Sequence, residues 1–172
     1  MQELKIPVAE IIGRPGTYRD IEVAAPLEGL KNALAGVTES PISVSGRAES
    51  VVEGVLVTGR AATTAAMECA RCLAPLTASL DVELCELYVM DPAEAEDDAY
   101  AIEGRPPEID LEPMLRDSVT LALPLNPLCR ADCKGLCARC GRDLNTGDCD
   151  CSEDEMDPRW AELSALREKL NQ

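Results

Sequence analysis

The sequence predicts an α+β fold: a mainly antiparallel β-sheet with one or two packed helices, then a small cysteine-rich zinc knuckle and a C-terminal helix. Three observations carry this reading. Period-two alternation recurs between residues 42 and 89, a helical period takes over at Asp110, and six of the nine cysteines fall between residues 129 and 151. The 172 residues suffice for one main core and a small appendage. Three segments are expected: a β-rich domain over 1–124, a cysteine-rich metal-binding segment over 125–152, and an amphipathic helix over 153–172.

The runs Ile42 to Ala48 and Val55 to Arg60 alternate apolar with polar residues across Glu53-Gly54, which predicts a β-hairpin. Residues Ala61 to Glu68 continue the second strand or pair beside it. Leu76, Ala78, Leu80, Val82 and Leu84 then alternate through a strand reaching Val89, so the sheet is an antiparallel meander. Cys85 lies within that strand and is expected to behave as a small buried hydrophobe. The stretch 91–108 carries Glu94, Glu96, Asp97, Asp98 and Glu103 with prolines and no apolar period, and reads as a mobile acidic loop, a solvated spacer.

At Asp110 a capping side chain precedes Glu112 in a first turn, and Leu111, Leu115, Val119 and Ala122 share one face of a helix that Pro124 stops. Asp157-Pro158 opens the last helix, whose stripe of Trp160, Leu163 and Leu170 is expected to dock on the parent domain.

Composition excludes several function classes. The net charge of −16 repels bulk nucleic acid and anionic membranes unless basic residues gather locally, and no DNA partner is expected. With no Phe, one Trp and three Tyr, aromatic base-stacking platforms are not expected. No stretch reaches the roughly 20 apolar residues of a membrane span. Residues 1–14 lack the basic start and long apolar run of a signal peptide, so the cysteines are expected in the reducing cytoplasm. The chain has no histidine, no glycine-rich phosphate loop and no serine nucleophile motif, so it is not expected to be an enzyme.

The cysteines carry the chemistry. Cys129, Cys133, Cys137, Cys140, Cys149 and Cys151 form a density that intracellular chains use to bind metal, and Cys69-Ala70-Arg71-Cys72 repeats the tetrapeptide Cys137-Ala138-Arg139-Cys140. A CxxC step turns two thiolates onto one ion, and Gly141 eases the second turn. One partition gives two zinc sites: Cys137, Cys140, Cys149 and Cys151 in one, and Cys69, Cys72, Cys129 and Cys133 in the other. Spacing leaves open a single zinc ion held by the cluster alone, and it does not separate zinc from an iron–sulfur centre. A redox role for Cys69 and Cys72, activated by Arg71, would need a strand-to-helix context, whereas this pair lies between strand-like runs.

Arg130, Lys134, Arg139 and Arg142 make the cluster the most basic local stretch of the chain. They are candidates for contact with RNA phosphates or a partner, and equally for stabilising the charge of −2 on a zinc tetrathiolate.

These features together resemble the YceD family, the large ribosomal RNA subunit accumulation proteins, in its cysteine-rich branch. The resemblance runs from Gly13-Arg14-Pro15-Gly16 through Glu49 to Gly59, Cys69-x-x-Cys72-Leu73 and Asp110-Leu111-Glu112-Pro113. It continues in Leu123-Pro124-Leu125-x-Pro127-Leu128-Cys129, Gly135-Leu136-Cys137-x-x-Cys140-Gly141, Leu144-Asn145 and Asp157-Pro158-Arg159-Trp160. It implies a non-enzymatic part in the synthesis, processing or stability of 23S rRNA and in large-subunit assembly, with 23S rRNA or a large-subunit ribosomal protein as partner. Members without the cysteine cluster imply that the metal is a local stabiliser. The alternatives are a thiol-based redox or metal-responsive regulator and a protein-interaction adaptor.

Overall fold

The computed structural model describes residues 4–91, 93 and 99–151. Eight strands and one helix occur among them: β1 (Lys5–Pro7), β2 (Tyr18–Ala25), β3 (Ala35–Val37), β4 (Ile42–Ser50), β5 (Val55–Glu68), β6 (Pro75–Val89), β7 (Tyr100–Glu103), β8 (Glu108–Asp110) and α1 (Leu111–Ala122). They form a single sheet in the order β1-β8-β7-β6-β5-β4-β2, with β3 paired to the far part of β5. The expected α+β class, dominated by sheet, describes the molecule. The expected C-terminal helix over 153–172 lies outside the described residues.

The predicted hairpin is β4–β5, turned at residues 51–54, where the Val51 amide donates to the Gly54 carbonyl. The second strand does continue, and β5 pairs with β6 over its whole length, from Val55↔Tyr88 to Glu68↔Pro75. One face of these strands is packed: Ile42, Val44 and Ala48 of β4, Val55, Val57, Ala61 and Ala65 of β5, and Val82, Leu84 and Tyr88 of β6 are buried. The same alternation turns Cys85 outward. Cys85 is exposed, which corrects the expectation of a buried thiol: a strand with one wet face cannot bury Leu84 and its neighbour together. Ala78 is also exposed, on the part of the hairpin that outruns the main core.

Gly46 and Gly59 face each other in the β4–β5 register, both at inward positions. A Cβ on Gly46 would overlap the Thr58 carbonyl and lie 2.8 Å from the Gly59 Cα; one on Gly59 would overlap the Ser45 carbonyl and lie 2.6 Å from the Gly46 Cα. Two side chains are missing at one facing pair of positions, which lets the sheet coil sharply there. The coil brings its edges toward each other, and Arg19 of β2 reaches across to the Pro7 carbonyl of β1 at 3.4 Å, so the sheet is barrel-like.

The acidic stretch differs from expectation. Within 91–108 lie β7 and the start of β8, paired antiparallel around Gly104 to Pro107 with Ile102 opposite Ile109, both buried. β7 joins β6 in parallel, Tyr88 opposite Tyr100, so the sheet is not a pure antiparallel meander. Tyr88 is buried and its hydroxyl donates to the Asp110 carbonyl at 3.0 Å, fixing the start of the helix; burial pushes its phenol well above the ordinary range.

The helix begins and ends as predicted. The Asp110 carboxylate accepts the Glu112 amide at 2.9 Å, Glu112 and Arg116 pair one turn apart at 2.7 Å, and Leu111, Met114, Leu115 and Val119 are buried against the sheet. Pro113 falls in the first turn, where its missing N–H costs no helical bond.

Candidate metal centre

The β5–β6 hairpin extends past the end of the β4 pairing, and its far half is covered by β3 and by a small cluster of Ala35, Ala65, Met67 and Leu123. Leu123 follows the helix directly, so burying it pulls the next segment along the hairpin. Asn32 then donates to the Pro124 carbonyl at 3.2 Å, and the Ala70 amide donates to the Pro127 carbonyl at 2.8 Å. This strapping brings Cys129 and Cys133 to the tip formed by Cys69 and Cys72.

The first centre lies there. The sulfurs of Cys69, Cys72, Cys129 and Cys133 are all within 4.8 Å of one another. The Cys69 and Cys133 sulfurs are 3.9 Å apart, and those of Cys72 and Cys129 3.7 Å. Four sulfurs placed 2.3 Å from a tetrahedral ion would stand about 3.8 Å apart, so the spacing fits a single ion. Cys69 is fully buried and Cys133 is 2% exposed, while Cys72 is half-buried and Cys129 exposed.

The second centre gathers Cys137, Cys140, Cys149 and Cys151, again within 4.8 Å of one another. Its first two ligands sit on a miniature hairpin closed by the Leu136↔Asp143 bridge. The Arg139 amide points at the Cys137 sulfur, 3.4 Å away.

The repeated tetrapeptide folds the same way twice. The Cys69 amide donates to the Ala74 carbonyl and the Leu73 amide to the Cys69 carbonyl; the Cys137 amide donates to the Arg142 carbonyl and the Gly141 amide to the Cys137 carbonyl, all at 2.8–2.9 Å. The residue after each tetrapeptide is left-handed, Leu73 at φ 59° and Gly141 at φ 72°. Glycine takes that conformation freely, and a leucine there costs about 1–2 kcal/mol. Sequence identity of the two tetrapeptides thus corresponds to one knuckle geometry used at two centres.

The electrostatics match a cation site. The Cys69 thiol is held down at about 6, first by the Cys129 amide and then by that of Cys72. Cys137 is likewise held at about 6 by the amides of Cys140 and Arg139. Desolvation pushes Cys129 up to about 12, with the thiols of Cys133, Cys72 and Cys69 adding to it. Cys151 rises to about 12 through its hydrogen bond with Cys140 and then through desolvation. Against its desolvation, hydrogen bonding also lowers Cys133, whereas Cys72 and Cys149 are raised, so each group holds thiols pushed in opposite directions, because four thiolates cannot crowd together without a positive charge among them. A soft dication supplies that charge, and an all-cysteine tetrahedral donor set suits Zn²⁺.

The basic residues expected at a partner surface also serve the cluster. Arg130 pairs with Asp132 at 3.4 Å and donates to the Asn145 Oδ1 at 2.7 Å, and Arg142 donates to the Asp148 carbonyl at 3.0 Å. Lys134 and Arg139 line an open cavity of ≈ 590 Å³ beside Leu136, Leu144 and the second centre.

Asn145 is a residue whose structural role the cysteine pattern does not reveal. Its Nδ2 approaches the Cys133 sulfur at 3.4 Å and the Asp143 carboxylate at 2.6 Å, while its Oδ1 accepts from the Lys134 amide at 2.9 Å. It orients a ligand of the first centre from the loop that carries the second. The signal in the sequence is the dipeptide Leu144-Asn145 between Cys140 and Cys149. Asn145→Ala is expected to lower the affinity of the first centre about 10- to 100-fold, measured by competition with a chromogenic chelator.

Fold and site together define a barrel-like α+β protein carrying two four-cysteine centres competent to hold metal. The YceD family, described as large ribosomal RNA subunit accumulation protein YceD, matches residues 57–167. The chain belongs to that family. An uncharacterized protein of Mycobacterium tuberculosis is 36% identical over 165 residues, covering 93% of this chain and 79% of the relative. An uncharacterized protein of Mycobacterium leprae is 38% identical over 135 residues, 74% of this chain and 59% of the relative. The chloroplastic large ribosomal RNA subunit accumulation protein YCED homolog 1 of Arabidopsis thaliana is 40% identical over 65 residues, 38% of this chain and 20% of the relative. No solved structure matches.

Proposed function

We propose that this protein is a non-enzymatic accessory factor for the synthesis, processing or stability of 23S rRNA and for assembly of the large ribosomal subunit. It acts in the cytoplasm, with two structural zinc ions bound by Cys69, Cys72, Cys129 and Cys133 and by Cys137, Cys140, Cys149 and Cys151. Membership of the YceD family carries this reading, supported by the name of the plant relative. The two thiol groupings support the metal. The partner is 23S rRNA or a large-subunit ribosomal protein, met through the basic rim of Arg130, Lys134, Arg139 and Arg142 on an otherwise strongly acidic chain.

The test is depletion in the native host, followed by gradient separation of ribosomal subunits and quantification of 23S rRNA. A selective fall in the large subunit and its RNA is expected, and an unchanged ratio would overturn the proposal. Restoring the wild-type chain should recover the ratio; a chain with Lys134→Glu and Arg139→Glu that keeps its zinc should not, if the basic rim meets the partner.

The thiol-redox alternative has less support. Cys69 and Cys72 occupy a turn between β5 and β6, not the start of a helix after a strand, which is the context that activates a redox CxxC pair. A regulator of that kind would show thiols that oxidise reversibly without a chelator, whereas structural zinc keeps them protected until one is added.

A further inference from the structure

Two centres built on one knuckle differ in everything around it, and the differences run in one direction. The first joins positions far apart in the chain, Cys69 with Cys133 and Cys72 with Cys129, separated by 64 and 57 residues. Two of its four ligands are buried. The second draws all four ligands from residues 137–151, and among them Cys140 is exposed and the other three half-buried. A competing ligand displaces a thiolate by approaching the ion, so exposure of the sulfurs governs exchange.

The second centre also hangs on the first. The strip leading from Cys133 into the second centre hangs on the first: the Leu136 amide donates to the Arg71 carbonyl at 3.0 Å, and the Arg71 guanidinium donates to the Cys133 carbonyl at 2.8 Å. Gly135, left-handed at φ 78°, lets the two backbones meet, since a Cβ there would lie 3.0 Å from the Arg71 carbonyl oxygen. The Leu144 amide then donates to the Gly135 carbonyl and so suspends the ligand loop of the second centre from the same strip. The loop of the second centre reaches back through Asn145, which meets the Cys133 sulfur, the Lys134 amide and the Arg130 guanidinium.

We infer that the two centres are a fixed and an exchangeable site: the Cys137, Cys140, Cys149, Cys151 centre releases its ion first and reversibly, leaving a folded one-ion protein. The Cys69, Cys72, Cys129, Cys133 centre holds its ion until the hairpin tip comes apart, and its loss takes the other with it. This rests on the zinc reading above. The ligand class accepted at the exchangeable site is a thiophilic divalent ion, delivered or removed by a competing chelator.

The experiment is a chelator time course on the full-length protein, followed by native mass spectrometry and by alkylation of released thiols with peptide mapping. The expected course passes through a one-ion species in which Cys137, Cys140, Cys149 and Cys151 are alkylated while the other four are protected; adding zinc before alkylation restores the two-ion mass. Cys149→Ser should purify with one ion and an unchanged far-ultraviolet spectrum. Simultaneous loss of both ions, or earlier alkylation of Cys69 or Cys133, would overturn the ordering while leaving the zinc assignment intact. Purification with no zinc, or with a coloured iron–sulfur centre, would overturn both.

Discussion

Replacing Cys133 with serine is expected to strip the protein of both of the zinc ions proposed above. Cys133 is almost fully buried, supplies one corner of the first centre, receives the Asn145 amide on its sulfur and receives Arg71 on its carbonyl. Serine lacks the soft thiolate, and the remaining three sulfurs cannot close a tetrahedral structural site. Two and three residues further on, Gly135 and Leu136 depend on Arg71 for their placement, and the second centre depends on them. The sheet should survive, because the main core from Leu4 to Val119 draws on none of the eight ligands. The proposed content of two zinc ions should therefore fall to none while the far-ultraviolet signature of the sheet persists. Retention of one ion would mean that the second centre folds independently of the hairpin tip.

Gly59→Ala should act on the opposite half of the molecule. The added methyl would sit inside the Ser45 carbonyl and against the Gly46 Cα, and both obstacles are backbone in β4, a strand held on two sides by β2 and β5. No rotamer change relieves such a contact; β4 must move away, opening the coil of the sheet and disturbing Val44, Ala48, Val57 and Ala61 around it. A loss of about 3 kcal/mol is expected, at the upper end of overpacking effects, read as a lower midpoint in denaturant. The reciprocal change, Gly46→Ala, meets the same pair of strands and should cost a similar amount. The double variant should cost less than the sum of the two, since one displacement of β4 relieves both overlaps.

These two expectations divide the molecule along a line the sequence draws unevenly. The β4–β5 hairpin, the strand through Val89 and the helix with its Asp110 cap were legible because each carries an unbroken period and a local stop signal. The strands β7 and β8 were not, because three or four residues set among prolines and carboxylates give no period; Ile102 and Ile109 were the signal, and only their pairing makes them one. Parallel pairing of β6 with β7 depends on where the chain returns after residue 91, which no local pattern encodes. Cys85 shows the reverse error: alternation read correctly for Leu84 already placed its neighbour on the wet face.

The candidate site was more legible than the fold. Identical tetrapeptides imposed identical turns, and of the one-site and two-site readings that spacing left open, the two groups of four cysteines in space correspond to the second. Spacing could not reveal which centre is buried, because that depends on Leu123 and Pro127 strapping the post-helix segment to the hairpin. Nor could it reveal Asn145, whose partners are brought together only once both knuckles have formed.

An ion shared by Cys72 and Cys129 would also act on the chain before it folds. It ties together positions 57 residues apart, and in the chain-entropy model a cross-link spanning such a loop removes about 4 kcal/mol of conformational freedom from the unfolded ensemble. A covalent bridge of that reach would be cut by cellular thiols in a reducing compartment. Thiolate bonds to a shared ion would survive there, giving the tether that small secreted domains obtain by oxidation.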